Sequence, residues 1–224
     1  MNLADAMKEA IAVLKTRSNP KKSTRLDYLD MDEHPTSIQA VFLGKGMFTK
    51  AYLGDDNSVY LVTITDNGVS NVDWSKEMLS ELYRDDGQQP HIPIVEKMGW
   101  KDIRFKGSMV EGTVYRSPLY NAPLRKGNSE IAWKEYRAVE KAWRSARRSV
   151  PQNIYNGHRI NSDTIENYGK DDSVREALEE LSGGIANYGS EYTFEFSPRN
   201  LATDGNGQLI FLDVMFSLRA VRGI

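Results

Sequence analysis

Between Ile38 and Ile64 the chain repeats one pattern: a short run of β-branched, aromatic and aliphatic residues, then a turn, then another run. Ile38 to Leu43 reads as a strand, Gly44-Lys45-Gly46 interrupts it, and Lys50 to Leu53 resumes it. Gly54-Asp55-Asp56-Asn57 has the composition of a hairpin turn, and Ser58 to Thr65 is again β-rich. Any fold for this chain has to accommodate strand, glycine turn, strand, hairpin, strand in immediate succession.

The flanking segments read differently. Leu3, Met7, Ile11 and Leu14 recur at helical steps, and that helix ends before Asn19-Pro20. Lys21 to Pro35 is polar; its acidic run, Asp27 to Glu33, reads as a solvated face, with metal binding the weaker alternative. A helix is expected from Asp73 as N-cap, with Trp74, Met78 and Leu82 on one side, ending at Asp85-Asp86-Gly87. Ile94 to Trp100 and Met109 to Tyr115 are candidate strands, and the two-proline stretch Ser117 to Arg125 reads as a hinge-like connector. Glu130 to Val150 is a strong helix, with Trp133, Tyr136, Val139, Trp143 and Ala146 on one side and six basic residues, Lys134 to Arg148, on the other. Asn153 to Lys170 reads as irregular, Asp172 to Asn187 as a helix weakened by Gly183-Gly184. Tyr192 to Phe196, Leu201 to Thr203 and Gln208 to Val214 read as strands around the Asp204-Gly205-Asn206-Gly207 turn. The organisation expected is a helical extension over 1–36, a β-rich lobe with one helix over 37–118, and a mainly helical lobe over 119–224.

Bulk properties narrow the chemistry. There is no cysteine, so disulfides, thiol nucleophiles and cysteine zinc sites are excluded. The net charge of −2 gives no global attraction to nucleic acid or acidic membranes, which ranks nucleic-acid binding through the basic helix last among the functions weighed. The first residues lack the apolar run of a secretory signal, and no stretch reaches the roughly 20 apolar residues of a membrane span. A cytoplasmic protein is expected.

Two separated signals carry chemistry. Gly44-Lys45-Gly46, with Phe48 and Lys50 beyond it, is a glycine hairpin whose backbone N–H groups could approach a triphosphate closely. Far downstream stands Glu195-Phe196-Ser197-Pro198-Arg199-Asn200, and thirteen positions after Asn200 comes Asp213. An acid, an amide five residues on, and a second acid beyond a short hairpin match a phosphoryl-transfer site: Glu195 orients a hydroxyl, while Asn200 and Asp213 supply hard oxygens to Mg²⁺.

The glycine hairpin with Phe48 and Tyr52, the segment His91-Ile92-Pro93-x-Val95, and the Asn200…Asp213 ending together resemble the early serine/threonine protein kinases of short-tailed phages, over roughly Ile38 to Phe216. The resemblance implies an α+β, protein-kinase-like two-lobe fold, compact, with a truncated C-lobe. It implies ATP and Mg²⁺ as cofactors and Ser/Thr of host proteins, transcription machinery among them, as targets in the cytoplasm of an infected bacterium. Three positions depart from the family pattern. Leu61 stands where a strand lysine would hold phosphate, leaving Lys45 or Lys50 as candidate replacements and Glu77 or Glu81 as a helix glutamate without an obvious partner. Glu195 replaces an aspartate, and Val214-Met215-Phe216 replaces Phe-Gly with only eleven residues after Asp213, leaving no room for an activation segment or peptide platform. These departures motivate the alternative of a pseudokinase that inhibits a host protein by binding it.

Overall fold

Six antiparallel strands, β1 (Ser23–Asp30), β2 (Pro35–Lys45), β3 (Thr49–Gly54), β4 (Ser58–Asp66), β5 (Glu96–Phe105) and β6 (Ser108–Pro118), close into a barrel in the order β1-β2-β3-β4-β6-β5. The structure is a computed structural model and describes residues 23–46, 48–66, 74–105, 107–151, 156–189 and 192–217. The helix expected at Leu3 to Leu14 and the cap expected at Asp73 lie outside the described residues.

Closure is what the sequence reading lacked. The α+β content is as expected, but a barrel-dominated architecture replaces the protein-kinase-like two-lobe fold. The strand responsible is β1, in the stretch read only as polar. It points Leu26 and Tyr28 inward and pairs with β2 from Ser23↔Val41 to Leu29↔Pro35. On its other side it meets β5 at just two positions, Leu29↔Trp100 and Asp30↔Gly99. Gly99 makes that seam possible. Its φ is +146°, and a Cβ there would sit 1.8 Å from the Leu29 carbonyl oxygen. The barrel interior is filled by Leu26, Tyr60, Val62, Ile64, Ile103 and Val114, among others.

Helix α1 (Ser75–Asp86) joins β4 to β5 and ends at Gly87, as its Asp-Asp-Gly stop signal requires. Among the described residues, three α-helices follow the barrel: α2 (Glu130–Ser149), α3 (Gly157–Asn167) and α4 (Asp172–Ala186). The Ser129 hydroxyl caps α2 by accepting from Ala132 N–H at 3.2 Å. The expected irregular stretch Asn153 to Lys170 is largely α3. Its buried face is small and polar, Gly157, Asn161 and Thr164, so no hydrophobic period announces it.

Among the described residues, two short ribbons follow the helices: β7 (Tyr192–Phe194) with β10 (Met215–Ser217), and β8 (Ala202–Thr203) with β9 (Leu209–Ile210). Asn161 lines the free edge of β7, accepting from Phe194 N–H at 3.0 Å and donating to the Tyr192 carbonyl at 3.4 Å. The second core lies here, where α1, α2 and α4 pack Met78, Tyr136, Val139 and Leu178 against Phe194 and Phe211. The connector after β6 is not a free hinge. Leu124 is buried and its N–H lies within hydrogen-bond reach of the Pro198 and Leu201 carbonyls, and Asn121 bridges to Thr203.

His91, part of the segment behind the family resemblance, is a buried anchor between the barrel side and the helices. Its Nδ1 contacts the Leu209 carbonyl at 2.8 Å and its Nε2 the Ser173 hydroxyl at 2.9 Å, and the Phe211 N–H donates to its carbonyl. His91→Leu leaves the Leu209 carbonyl and the Ser173 hydroxyl without this partner. It should cost about 2–3 kcal/mol of unfolding free energy, read from the urea midpoint at unchanged m-value.

Candidate functional site

The two ribbons bring the distant acid–amide–acid residues together. Glu195 directly follows β7, Asp213 lies two residues before β10, and these strands pair, so both carboxylates emerge at one end of the ribbon. Glu195 N–H donates to the Val214 carbonyl at 2.6 Å. Asn200 closes a 3-10 turn, Pro198–Asn200, whose carbonyl accepts from Asp213 N–H at 3.0 Å. The Asn200 amide donates to Glu195 Oε2 at 3.4 Å, and Arg199 reaches Glu195 Oε1 at 3.2 Å. Phe194, Phe196 and Phe211 form the floor, with Trp143 of α2 edge-on to Phe196 at 6.1 Å.

A residue that sequence reasoning passed over completes the cluster. Lys76, in the first turn of α1, donates to Asp213 Oδ1 at 2.7 Å and to the Leu212 carbonyl at 3.3 Å. Its side chain is 7% exposed, whereas that of Asp213 is 55% exposed. A buried ammonium thus emerges from the helix onto a solvent-facing carboxylate. The signal for it was present: Lys76 lies three residues before Leu79 on the apolar side of α1, where a lysine has to find a specific partner.

The helix glutamate also finds its partner, on a strand other than the one expected. Glu77 pairs with Lys97 of β5 at 2.8 Å and accepts from the Tyr115 hydroxyl of β6. Burial first, then the Glu77 carboxylate, push the Tyr115 pKa far up, so its hydroxyl remains a donor. Glu81 accepts from the Tyr188 hydroxyl instead. Leu61 pairs across from Ala51 and packs against the helix-side core, a structural place.

The glycine hairpin is the β2–β3 turn, with Gly46 N–H donating to the Thr49 carbonyl at 2.7 Å. A Cβ at Gly44 would meet nothing within 4 Å, and at Gly46 only the Thr49 oxygen at 3.8 Å, so neither glycine is demanded by local packing. Lys45 and Lys50 are paired directly across the hairpin. Like charges placed opposite one another repel, which disfavours the hairpin unless an anion lies between them. Phe48 belongs to the same turn, its carbonyl accepting from Ile64 N–H at 3.1 Å.

In the acidic run Asp27 to Glu33, which spans the end of β1 and the β1–β2 turn, Asp27, Asp32 and Glu33 are exposed and Asp30 half-buried, while Tyr28 among them turns into the barrel. Asp30, Asp32 and His34 place ligand-type atoms within 4.8 Å of one another. The Asp30 carboxylate is spent on the turn, accepting from His34 and Asp32 N–H groups, which hold its pKa below the usual carboxylate value. No helix among the described residues is long and apolar enough to cross a membrane. No protein-family model matches this sequence, and no curated protein matches it either.

Proposed function

We propose that this chain binds ATP with Mg²⁺ at the Glu195–Asn200–Asp213 cluster and transfers the γ-phosphoryl group to Ser or Thr hydroxyls of a bacterial host protein, transcription machinery being one such target. One observation carries the reading: an acid, an amide and a second acid, the outer two eighteen positions apart, meet at the end of one ribbon with a buried lysine on the second acid. The donor set fits the cation. Asn200 and Asp213 offer an amide and a carboxylate oxygen, and Lys76 engages only Oδ1 of Asp213. The metal would neutralise the charge on the phosphates. Glu195 would take the proton of the attacking hydroxyl as its oxygen bonds to phosphorus and the bond to the ADP oxygen breaks. Arg199 and Asn200 would hold that carboxylate in place. The opposed Lys45 and Lys50 and the sterically unneeded glycines suit the approach of an anion to the hairpin.

A second reading rests on a different observation. Both carboxylates already have cationic partners, Lys76 on Asp213 and Arg199 on Glu195. That arrangement suits a pseudokinase that inhibits a host protein by binding it.

Thermal denaturation with ATP, with and without Mg²⁺, tests the nucleotide site. At saturating nucleotide, roughly a hundredfold above Kd, Tm should rise by about 5–10 °C only when Mg²⁺ is present. No shift would sink the site. A shift without transfer of labelled phosphate into a bacterial lysate selects the binding-only reading.

A further inference from the structure

The exposed face of α2 carries Lys134, Arg137, Lys141, Arg144 and Arg148 at alternating steps of three and four, opposite its buried Ala132, Val139 and Ala146. Fourteen positions of helix make a nearly straight cationic stripe about 21 Å long. Its centre is built. Glu140, only 7% exposed, accepts from Arg137 at 2.5 Å and from Arg144 at 2.7 Å, fixing on one carboxylate the guanidinium groups of two residues about two helical turns apart. Each keeps further N–H donors beyond those bonds, at 60% and 61% exposure. Among the described residues, Lys141 and Arg148 form no ion pair, and Arg147 lies over the Trp143 ring at 4.9 Å. Trp143 in turn packs on Phe196, the residue after Glu195, so the stripe belongs to the element that braces the proposed site.

We infer that this stripe docks a short acidic segment of a partner protein in extended form. Successive charges along the stripe are separated by a rise of about 4.5–6 Å. That is close to the roughly 6.6 Å between side chains on one face of an extended chain, two residues apart. A nucleic acid fits less well. It is charged along its whole length, and the net charge of −2 leaves acidic surface elsewhere, including the exposed Asp172, Glu176, Glu179 and Glu180 of α4. The partner's role as phosphoryl acceptor rests on the function proposed above; the docking itself does not.

The test measures binding of a short labelled peptide of alternating glutamate and alanine, which places its carboxylates on one face when extended, by fluorescence anisotropy. Affinity should fall between about 50 and 200 mM salt. The double variant K141E/R148E, which leaves the Glu140 cluster intact, should lose about tenfold or more. R137E/R144E should lose more, with its fold checked by circular dichroism because it unpairs Glu140. Unchanged affinity in K141E/R148E overturns the inference. So does tighter binding of a DNA duplex than of the peptide, or salt-sensitive self-association in sedimentation that accounts for the stripe by pairing it with α4 of a second copy. The Mg²⁺-ATP thermal shift of K141E/R148E should match that of the unaltered chain, so the docking surface and the nucleotide site can fail separately.

Discussion

Lys76→Met should reduce the proposed phosphoryl transfer by roughly 100- to 1000-fold, the scale of losing one preorganised electrostatic contact at a reacting centre, while the protein stays folded. Two features separate the effects. Methionine has nearly the length of lysine and suits the buried channel from which the side chain emerges. Asp213, left behind, is already more than half exposed and can be solvated. Tm without nucleotide should therefore change by only a few degrees, while the rate collapses. Lys76→Arg should restore part of the activity if the positive charge on Asp213 is what matters. Transfer that survives Lys76→Met at the normal rate would reduce Lys76 to a tether between α1 and the ribbon.

Gly99→Ala is the other large effect, this time on stability. The new methyl would have to occupy space 1.8 Å from the Leu29 carbonyl oxygen and 2.8 Å from the Asp30 Cα, both backbone atoms of β1. It would also hold a φ of +146°, which an L side chain rarely adopts. The seam cannot rotate a side chain out of the way; β1 itself must move. A cost of about 3 kcal/mol or more is expected from overpacking and backbone strain together. The measurement is a chemical denaturation curve, with amide exchange over residues 23–30 reporting whether β1 detaches. A variant as stable as the unaltered protein would mean that the β1–β5 contact contributes nothing to the barrel.

These two residues also show where a sequence is legible. The meander β2–β4 was readable because each strand is contiguous and its turns are spelled in Gly, Asp and Asn. Glu195, Asn200 and Asp213 were readable because their spacing is local, and β7, β8, β9 and β10 bring that spacing into contact. Closure was not readable. In β1 only Leu26 and Tyr28 are buried, flanked by Arg25, Asp27 and Asp30, and its second partner lies some seventy positions on, through one glycine. Lys76 was missed for the same reason, since its partner is 137 positions away. Helix α3 hid differently. It buries Asn161 and Thr164, residues that satisfy themselves by hydrogen bonds rather than by hydrophobic periodicity.

Asn161 has a further consequence for the molecule in company. A two-stranded ribbon has two free edges, and each is a template on which another chain can add a strand. Along β7 that vacancy is filled by one side-chain amide, which offers an acceptor and a donor as a neighbouring strand would. On that edge, the ribbon that carries the proposed catalytic carboxylates is thereby kept from recruiting a third strand. Along β7, protection against strand addition rests on a single asparagine from a helix.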